Sequence, residues 1–130
     1  MKKTLSVGIG GALGTLLRWA LFQIPLQGGT FSHPLKTLLI NVTGSFALGL
    51  LAILFVRKIP VSAEIRLAVT AGVMGGYTTF STMCKDAVTL SISRSVLLAA
   101  AYLAVTVFLG LTASWAGTQL GKHLEGRRQA

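Results

Sequence analysis

Cysteine and acidic residues are both scarce in this chain of 130 residues. It contains a single cysteine, Cys84, which excludes an intrachain disulfide and a cysteine-based metal site. There are 3 Asp and Glu against 12 Lys and Arg, and only 12% of the residues are charged. Hydrophobic residues make up 52%, and the mean hydropathy is +0.71. These values exclude a disordered segment and are untypical of a soluble domain. They indicate a small integral membrane protein made of one domain, residues 1–130.

Four apolar stretches are long enough to cross a bilayer. A membrane span requires about 20 mostly apolar residues, because the hydrocarbon core is about 30 Å thick. The predicted spans are Leu5–Ile24, Leu38–Val56, Leu67 to about Ile92, and Val96–Gln119. The connectors are short, and the turn at Ser93–Ser95 is the tightest. The sequence therefore predicts an all-α membrane protein with four transmembrane helices.

The distribution of basic residues predicts the orientation of these spans. With four spans, both termini lie on one side of the membrane, and eight Lys and Arg residues fall on that side. The remaining four lie on the other side or within the membrane: Arg18, Lys36, Lys85 and Arg94. Because basic loops stay in the cytoplasm, both termini are predicted to be cytoplasmic. The basic residues lie outside the apolar runs, so no nucleic-acid partner is expected.

Small residues recur at helical spacing in the first and fourth spans. Gly10 and Gly14 share one face of the first span, and the fourth carries a longer stripe of Gly110, Ser114, Gly117 and Gly121. Such faces let two helix backbones approach closely. They indicate either packing within one subunit or association of two subunits.

The third span is unusually polar. Eight side chains between Tyr77 and Ser93 carry a hydroxyl group, and the adjacent Gly75 and Gly76 precede them at mid-depth. Adjacent glycines at that depth predict a break in the helix, which is tolerated only inside protein or beside a watery cavity. The freed backbone groups of a broken helix can bind ions. The alternative is a plain kink, in which the hydroxyls bond to the preceding turn. The density of hydroxyl groups favours a polar pathway.

Isolated polar residues in the other spans also indicate a polar interior of the helix bundle. Asn41 either clamps two helices by hydrogen bonds or lines a pathway. Arg18 either has a functional role inside the membrane or only extends to the interface or pairs with a carbonyl. Tyr102 and Thr106 share one face of the fourth span. Asp86 is the only acid within any span, so neutral hydrogen-bond donors dominate the predicted lining. Walls rich in donors and poor in acids suit a small hydrated anion better than a cation.

Three motifs of the sequence resemble those of the Fluc/CrcB fluoride channel family. They are the glycine-rich stretch 10–14 followed by Arg18-Trp19, then Asn41-Val42-Thr43-Gly44, and then the string GGYTTFST at 75–82. The resemblance covers the length, the four spans and the order of the motifs. It implies an antiparallel dimer with two narrow fluoride pathways along the subunit interface. It also implies passive, downhill movement that exports cytoplasmic fluoride.

The resemblance implies roles for individual residues as well. Arg18 corresponds to an arginine of the vestibule, and a structural sodium ion at the dimer centre would be held by the backbone carbonyls of Gly75 and Thr78. The ring edge of Phe80 would face fluoride, next to Met83 at the place of a second phenylalanine. The other residues implied to lie along the pathway are Asn41, Thr79, Ser81, Thr82, Tyr102 and Thr106.

The sequence departs from the family pattern in ways that bear on assembly. Met83 offers no hydrogen-bond donor and no aromatic edge, so we expect a poorer neighbour for fluoride. Cys84 and Gly110 each stand where the family has a hydroxyl residue. The excess of cations on one side favours a single orientation, whereas an antiparallel self-dimer requires both. We therefore expect either a heterodimer with a paralogous subunit or a homodimer that tolerates the bias and Met83.

Other functions fit the sequence less well. A small multidrug exporter shares the four-span architecture, but it requires an embedded acid in the first span, which has none. An enzyme is not expected, because no Ser-His-Asp set is present. The two histidines, His33 and His123, fall in a connector and in the tail, where we interpret them as solvated polar residues. An assembly protein without transport activity would leave the hydroxyl-rich span unexplained.

Overall fold

The computed structural model describes residues 1–25, 29–57 and 61–126, and this part of the chain is helical without strands. The ordered segments are α1 (Lys2–Gln23), a 3₁₀ turn (Gly29–Phe31), α2 (Ser32–Arg57), α3 (Ala63–Leu67), a π-helical segment (Ala68–Val73), α4 (Met74–Tyr77), α5 (Phe80–Ser93) and α6 (Val96–Gly126). The prediction of an all-helical protein is confirmed. Lys58–Pro60 and the last four residues of the predicted tail lie outside the described residues.

Three helices are long and apolar enough to cross a membrane: α1, α2 and α6. The third predicted span is present as a series of shorter helices, from α3 to α5. The second span begins earlier than predicted, because α2 starts at Ser32 and includes His33 and Pro34. A proline in the first turn of a helix removes an N–H group that has no helical partner anyway, so Pro34 does not delay the start.

The helical series of the third span is interrupted at Thr78 and Thr79. Both residues have extended backbone, with φ and ψ of −73° and 157° at Thr78 and of −149° and 110° at Thr79. The prediction that the break falls at Gly75 and Gly76 was wrong in position, because both glycines lie inside α4. The physical reason is that the Asn41 side chain takes over the backbone hydrogen bonds of Thr79. Gly76 lies against the backbone of Gly11 in α1, whereas a Cβ atom at Gly75 would meet nothing within 4 Å.

The helix α1 packs closely on the π-helical segment and on α4. A Cβ atom at Gly10 would overlap the carbonyl oxygen of Ala68, and one at Gly14 would overlap that of Val73. Gly76 faces the backbone of Gly11 in the same way. The small-residue face of the first span is therefore used within the subunit.

Replacing Gly14 with alanine is expected to destabilise the protein by about 1–3 kcal/mol, because the added methyl group overlaps backbone that cannot move aside easily. Gly8 is the matched control, since a Cβ atom there meets nothing within 4 Å. Gly8→Ala should be neutral or stabilising by roughly 0.5–1 kcal/mol, as in an ordinary helix interior. Thermal unfolding of both variants in detergent measures the difference, and equal midpoints would contradict the packing described here.

The stripe of small residues on α6 also packs within the subunit. It lies along α2, where a Cβ atom at Gly117 would overlap the carbonyl oxygen of Phe46. Reciprocally, Gly49 of α2 approaches the carbonyl oxygen of Ser114, and Gly121 faces Ile53. Of the two interpretations of this stripe, the structure supports packing between helices of one chain.

Large apolar side chains mostly face outward in the described part of the chain. The buried apolar residues are few and mainly small or flexible: Ile40, Met83, Ala87, Leu90 and Ala99. By contrast Trp19, Phe80, Phe108 and Trp115 are among the exposed large side chains. A soluble domain would bury such residues, whereas a membrane protein presents them to lipid or to another subunit.

The helix α3 begins with a side-chain cap outside the predicted spans. The Ser62 hydroxyl accepts a hydrogen bond from the Ile65 N–H at 3.3 Å. Hydrogen bonds from its own backbone N–H and from Ser62 lower the pKa of Glu64. Glu64 therefore stays ionised near the positive end of the helix dipole, which it complements.

Candidate ion pathway

Asn41 joins α2 to the interruption between α4 and α5. Its Nδ2 donates to the Thr79 carbonyl oxygen at 3.1 Å, and its Oδ1 accepts from the Thr79 N–H at 2.8 Å. One carboxamide thus satisfies both backbone groups of an extended residue that is 5% exposed. This is the helix clamp considered for Asn41, and it explains how a non-helical residue is tolerated in a buried position.

The interruption leaves the last four carbonyls before it without helical partners, and those of Gly75 and Thr78 are two of them. In a continuous helix the Gly75 carbonyl would accept from the Thr79 N–H, which instead donates to Asn41. The Thr78 carbonyl would accept from the Thr82 N–H, which instead donates to the Thr79 hydroxyl at 3.2 Å. The Thr78 carbonyl accepts a long hydrogen bond from Arg18 Nη1 at 3.4 Å. Two carbonyl oxygens are thereby left with spare acceptor capacity.

These carbonyls are suitable ligands for a hard cation. Hard cations are held by oxygen atoms, including backbone carbonyls freed from helices. No group of three or more His, Cys, Asp or Glu side chains that could hold a metal ion occurs in the described ranges. Gly75 and Thr78 carry two backbone oxygens of the kind that hard cations bind.

A groove runs along α2 beside the interruption, and we call it the Asn41 groove. Its first part has a volume of about 230 Å³, with Asn41, Ser45, Thr79, Phe80 and Met83 among its lining residues. An adjoining part of about 360 Å³ shares Asn41, Ser45 and Met83 and continues to Thr106, Gly110 and Ser114 on α6. Phe80 lies at the edge and is 76% exposed.

The other predicted site residues lie outside this groove. Arg18 and Thr82 line a separate cavity of about 340 Å³ together with Thr15, Trp19, Phe22, His33 and Lys85. We call this the basic cavity, because Arg18, His33 and Lys85 share it. Ser81 is exposed, with its hydroxyl 3.4 Å from that of Thr79. The structure thus divides the predicted residues into three groups. Arg18 and Thr82 line the basic cavity, Ser81 and Tyr102 line neither, and the groove is lined by Asn41, Thr78, Thr79, Phe80, Met83 and Thr106.

A polar cluster that the sequence analysis did not assemble lies between α2 and α5. Asp86 is buried, and its Oδ2 accepts from the Thr37 hydroxyl at 2.6 Å. Its Oδ1 lies 2.7 Å from Nδ1 of His33. The Tyr102 hydroxyl is buried, and Asp86 and Thr37 are among the polar side chains next to it. We call these four residues the Asp86 cluster.

His33 was wrongly placed in a connector, although its side chain is exposed to water as expected, at 49%. His33 lies in the first turn of α2, bonds to Asp86, and packs its ring on Phe22 with centroids 4.9 Å apart. One signal in the sequence indicates this position. His33, Thr37, Asn41 and Ser45 recur every four residues, which places them on one face of a helix that starts before His33.

Known proteins similar to this chain carry one description. A family model described as "CrcB-like protein, Camphor Resistance (CrcB)" matches residues 5–118. A "Fluoride-specific ion channel FluC" of Rhizobium meliloti (strain 1021) is 41% identical over 120 residues, covering 92% of this chain and 96% of the relative. "Fluoride-specific ion channel FluC 2" of Geobacillus kaustophilus (strain HTA426) is 42% identical over 113 residues, covering 87% and 88%.

A third relative extends the agreement along almost the whole chain. "Fluoride-specific ion channel FluC 1" of Brucella melitensis biotype 1 is 41% identical over 122 residues, covering 92% of this chain and 98% of the relative. The resemblance found in the motifs is thereby confirmed, as is the expectation that the chain is not an enzyme. The chain belongs to the CrcB/FluC family of fluoride-specific ion channels.

Proposed function

We propose that this chain conducts fluoride passively through pathways at the interface of an antiparallel dimer, and thereby exports fluoride from the cytoplasm across the cell membrane. The observation that carries the proposal is the Asn41 groove. It is polar along α2, and Phe80 at its edge is largely exposed in the single subunit. A second subunit placed over this face would convert an open groove into a closed pathway.

The lining of the groove favours an anion. It offers the Asn41 carboxamide and the hydroxyls of Ser45, Thr79 and Thr106, and no acidic residue lines either part of it. The edge of an aromatic ring such as Phe80 carries partial positive charge. Neutral donors hold a small anion without binding it too tightly to leave.

Sodium is proposed as a structural ion at the dimer centre. Its ligands in this chain would be the Gly75 and Thr78 carbonyls, which have lost their helical partners to Asn41 and to the Thr79 hydroxyl. Two oxygens from one subunit are too few to replace the hydration shell of a cation, so a second subunit is needed to complete the site. When bound, the ion would supply positive charge that joins the interrupted helices of both subunits at mid-membrane.

Proton-coupled export by a small multidrug exporter is less compatible with these observations. Helix α1 contains no acidic residue. The buried acid Asp86 is already bonded to Thr37 and His33. Nothing in the Asn41 groove can exchange a proton with a substrate, so downhill movement is the mode that its residues support.

Two modes of dimerisation follow from the charge bias. Both termini are proposed to be cytoplasmic, and a strongly biased chain would need an oppositely inserted, paralogous partner. Some relatives carry the numbers 1 and 2 in their names, which indicates that such chains occur in more than one copy in some organisms. The simpler alternative is a homodimer that inserts in both orientations.

Fluoride efflux from liposomes that contain the purified chain tests the proposed function. We expect rapid fluoride release and no chloride release above that of protein-free liposomes, because the groove suits a small hydrated anion. Efflux by the chain alone would establish the homodimer, and efflux only after addition of a paralogous chain would establish the heterodimer. Sodium-free preparation should cause loss of the dimer in size-exclusion chromatography. Equal fluoride and chloride rates, or no efflux with either composition, would contradict the function.

A further inference from the structure

We infer that Thr43 and Tyr77 are positioning residues of the ion pathway. The hydrogen bond between their hydroxyl groups, which lie 3.0 Å apart, holds the interruption on α2 from the side opposite Asn41, and its loss lowers fluoride flux. The inference rests on the proposed function and deepens it, because it adds a second contact that sets the direction of the Thr78 carbonyl.

The direction of this hydrogen bond follows from the other contacts of Thr43. The Thr43 hydroxyl donates within α2 to the Leu39 carbonyl oxygen at 2.7 Å, and the Ile40 carbonyl oxygen lies 3.2 Å away. A hydroxyl group has one hydrogen to donate and accepts through its lone pairs. Tyr77 is therefore the donor of the pair, and Thr43 is an acceptor that its own helix keeps in place.

The interruption crosses α2 at Gly44, with a polar contact on each side of the crossing. Successive residues of an α-helix point about 100° apart, so Asn41 and Thr43 project from nearly opposite sides of α2, with Gly44 between them. A Cβ atom at Gly44 would overlap Cγ2 of Thr78 and would lie 3.0 Å from Cδ1 of Tyr77. The small residue thus allows the interruption to lie directly on α2.

The contact between Thr43 and Tyr77 keeps the end of α4 in place on α2. Tyr77 is the last residue of α4, and the N–H and hydroxyl groups of Thr78 both donate to the Met74 carbonyl oxygen, at 3.0 and 2.9 Å. Tyr77 thereby keeps Thr79 within reach of Asn41. Because a peptide bond is planar, the Thr79 N–H that bonds to Asn41 directs the Thr78 carbonyl the opposite way. The direction of this carbonyl thus depends on both contacts.

The hydroxyl pair lies in surroundings that are mostly apolar. It lines a cavity of about 320 Å³ together with Leu21, Ile24, Lys36, Leu39 and Ile40. Among these described lining residues Lys36 is the charged one, and it donates to the Phe22 carbonyl oxygen at 2.8 Å. A hydrogen bond is electrostatically stronger in such surroundings than in water. Losing the bond between Thr43 and Tyr77 should therefore affect the position of α4 measurably.

Fluoride efflux from liposomes tests the inference with two substitutions that each remove one hydroxyl group. Tyr77→Phe keeps the aromatic ring, and Thr43→Val keeps the β-branched shape. Each should lower the efflux rate about three- to tenfold, which corresponds to roughly 0.7–1.4 kcal/mol. The double variant should be no slower than the slower single variant, because both changes remove the same hydrogen bond. Additive losses, or wild-type rates in both single variants, would overturn the inference and leave the proposed function intact.

Thr112→Val is the matched control for Thr43→Val. The Thr112 hydroxyl donates to the Phe108 and Leu109 carbonyl oxygens of its own helix at 3.0 Å, but it has no side-chain partner within the described part of the chain. Efflux in this control should stay close to wild type. Thr43→Ser keeps the acceptor for Tyr77 and should recover most of the rate that Thr43→Val loses. Equally low rates in the serine and valine variants would indicate packing of the methyl group and would contradict a role of the hydroxyl.

Backbone hydrogen exchange follows the interruption without any flux. The Thr79 N–H is protected by Asn41, and the Thr82 N–H by the Thr79 hydroxyl. Peptides that cover residues 78–82 should exchange about threefold faster, or more, in the two variants that lack a hydroxyl of the pair, and at the wild-type rate in the Thr112 control. Unchanged exchange in both variants would overturn the inference. A wild-type chain without fluoride efflux contradicts the proposed function, and exchange then still decides whether the hydroxyl pair holds the interruption.

Discussion

Replacing Asn41 with alanine is expected to lower fluoride efflux at least tenfold, which corresponds to about 1.4 kcal/mol or more in the barrier. The variant removes both hydrogen bonds that hold Thr79 in its extended conformation. Each unsatisfied buried backbone group costs about 1–3 kcal/mol, so the backbone of Thr78 and Thr79 should rearrange toward helix. The groove and the free carbonyls would then both be lost.

Ser45→Ala is the matched control for this substitution. Ser45 lies one helical turn further along α2 and lines both parts of the Asn41 groove, but the interruption is held by Asn41. We therefore expect Ser45→Ala to change the efflux rate far less than Asn41→Ala. Equal losses would mean that the groove depends on polarity alone and not on the clamp.

The variant Asn41→Asp tests how negative charge at this position affects fluoride efflux when one of the two hydrogen bonds to Thr79 is kept. The carboxylate keeps an acceptor for the Thr79 N–H but loses the donor to the Thr79 carbonyl, and it adds negative charge to a lining without acids. Efflux should fall at least as far as in Asn41→Ala. Wild-type fluoride rates in either variant would remove Asn41 from the pathway.

Phe80→Ile is expected to lower fluoride efflux by about tenfold or more while the protein stays folded. Phe80 is 76% exposed in the subunit, so few contacts within it are lost. What is lost is the positive ring edge beside the groove, which an aliphatic side chain does not supply. The measurement is the efflux rate, accompanied by the thermal unfolding midpoint, which should change little.

Phe108→Ile provides the matched comparison. Phe108 is 66% exposed on α6 but lines neither part of the Asn41 groove. The same chemical change there should leave efflux close to wild type. If Phe108→Ile and Phe80→Ile were equally impaired, the loss would reflect packing against lipid or a partner subunit and not an aromatic edge in the pathway.

The long spans can be predicted from the sequence because each depends on the hydropathy of its own residues. Hydropathy over about 20 residues predicts α1 and the start of α6, which continues past the predicted Gln119 to Gly126. Hydroxyl density marks the third span as unusual. The start of α2 was predicted too late because His33 and Pro34 are residue types that are common in connectors. Only the recurrence of polar residues at 33, 37, 41 and 45 indicates that the helix already includes them.

The position of the interruption has a non-local cause and was therefore predicted wrongly. Two glycines suggested a break at 75–76, but Gly76 serves the approach of α1, and the chain leaves the helix where Asn41 can bond to Thr79. This partner lies 38 residues earlier in the sequence. The ambiguity of the small-residue stripe on α6 has the same origin, since only the position of α2 shows which surface it meets.

Met83, which stands at the place of a second phenylalanine in the family motif, occupies a buried position. Met83 is 6% exposed and lines both parts of the Asn41 groove. A flexible thioether fills an irregular gap without strain, whereas a rigid ring at this position would need the groove to widen. Met83 is thus part of the floor that shapes the groove in this chain, while Phe80 occupies its edge.

The π-helical segment at Ala68–Val73 determines which way the interruption faces. The Met74 N–H bonds to the Val69 carbonyl, five residues earlier, so this turn holds one residue more than an α-helical turn would. Each residue of an α-helix advances the direction of its side chains by about 100°. The extra residue in this turn therefore rotates the following residues about the helix axis. Gly72 lies against Gly10 as a result, and the carbonyls of Gly75 and Thr78 are rotated by the same amount. The direction of these backbone carbonyls therefore depends on the number of residues upstream of them, independently of which side chains those residues carry.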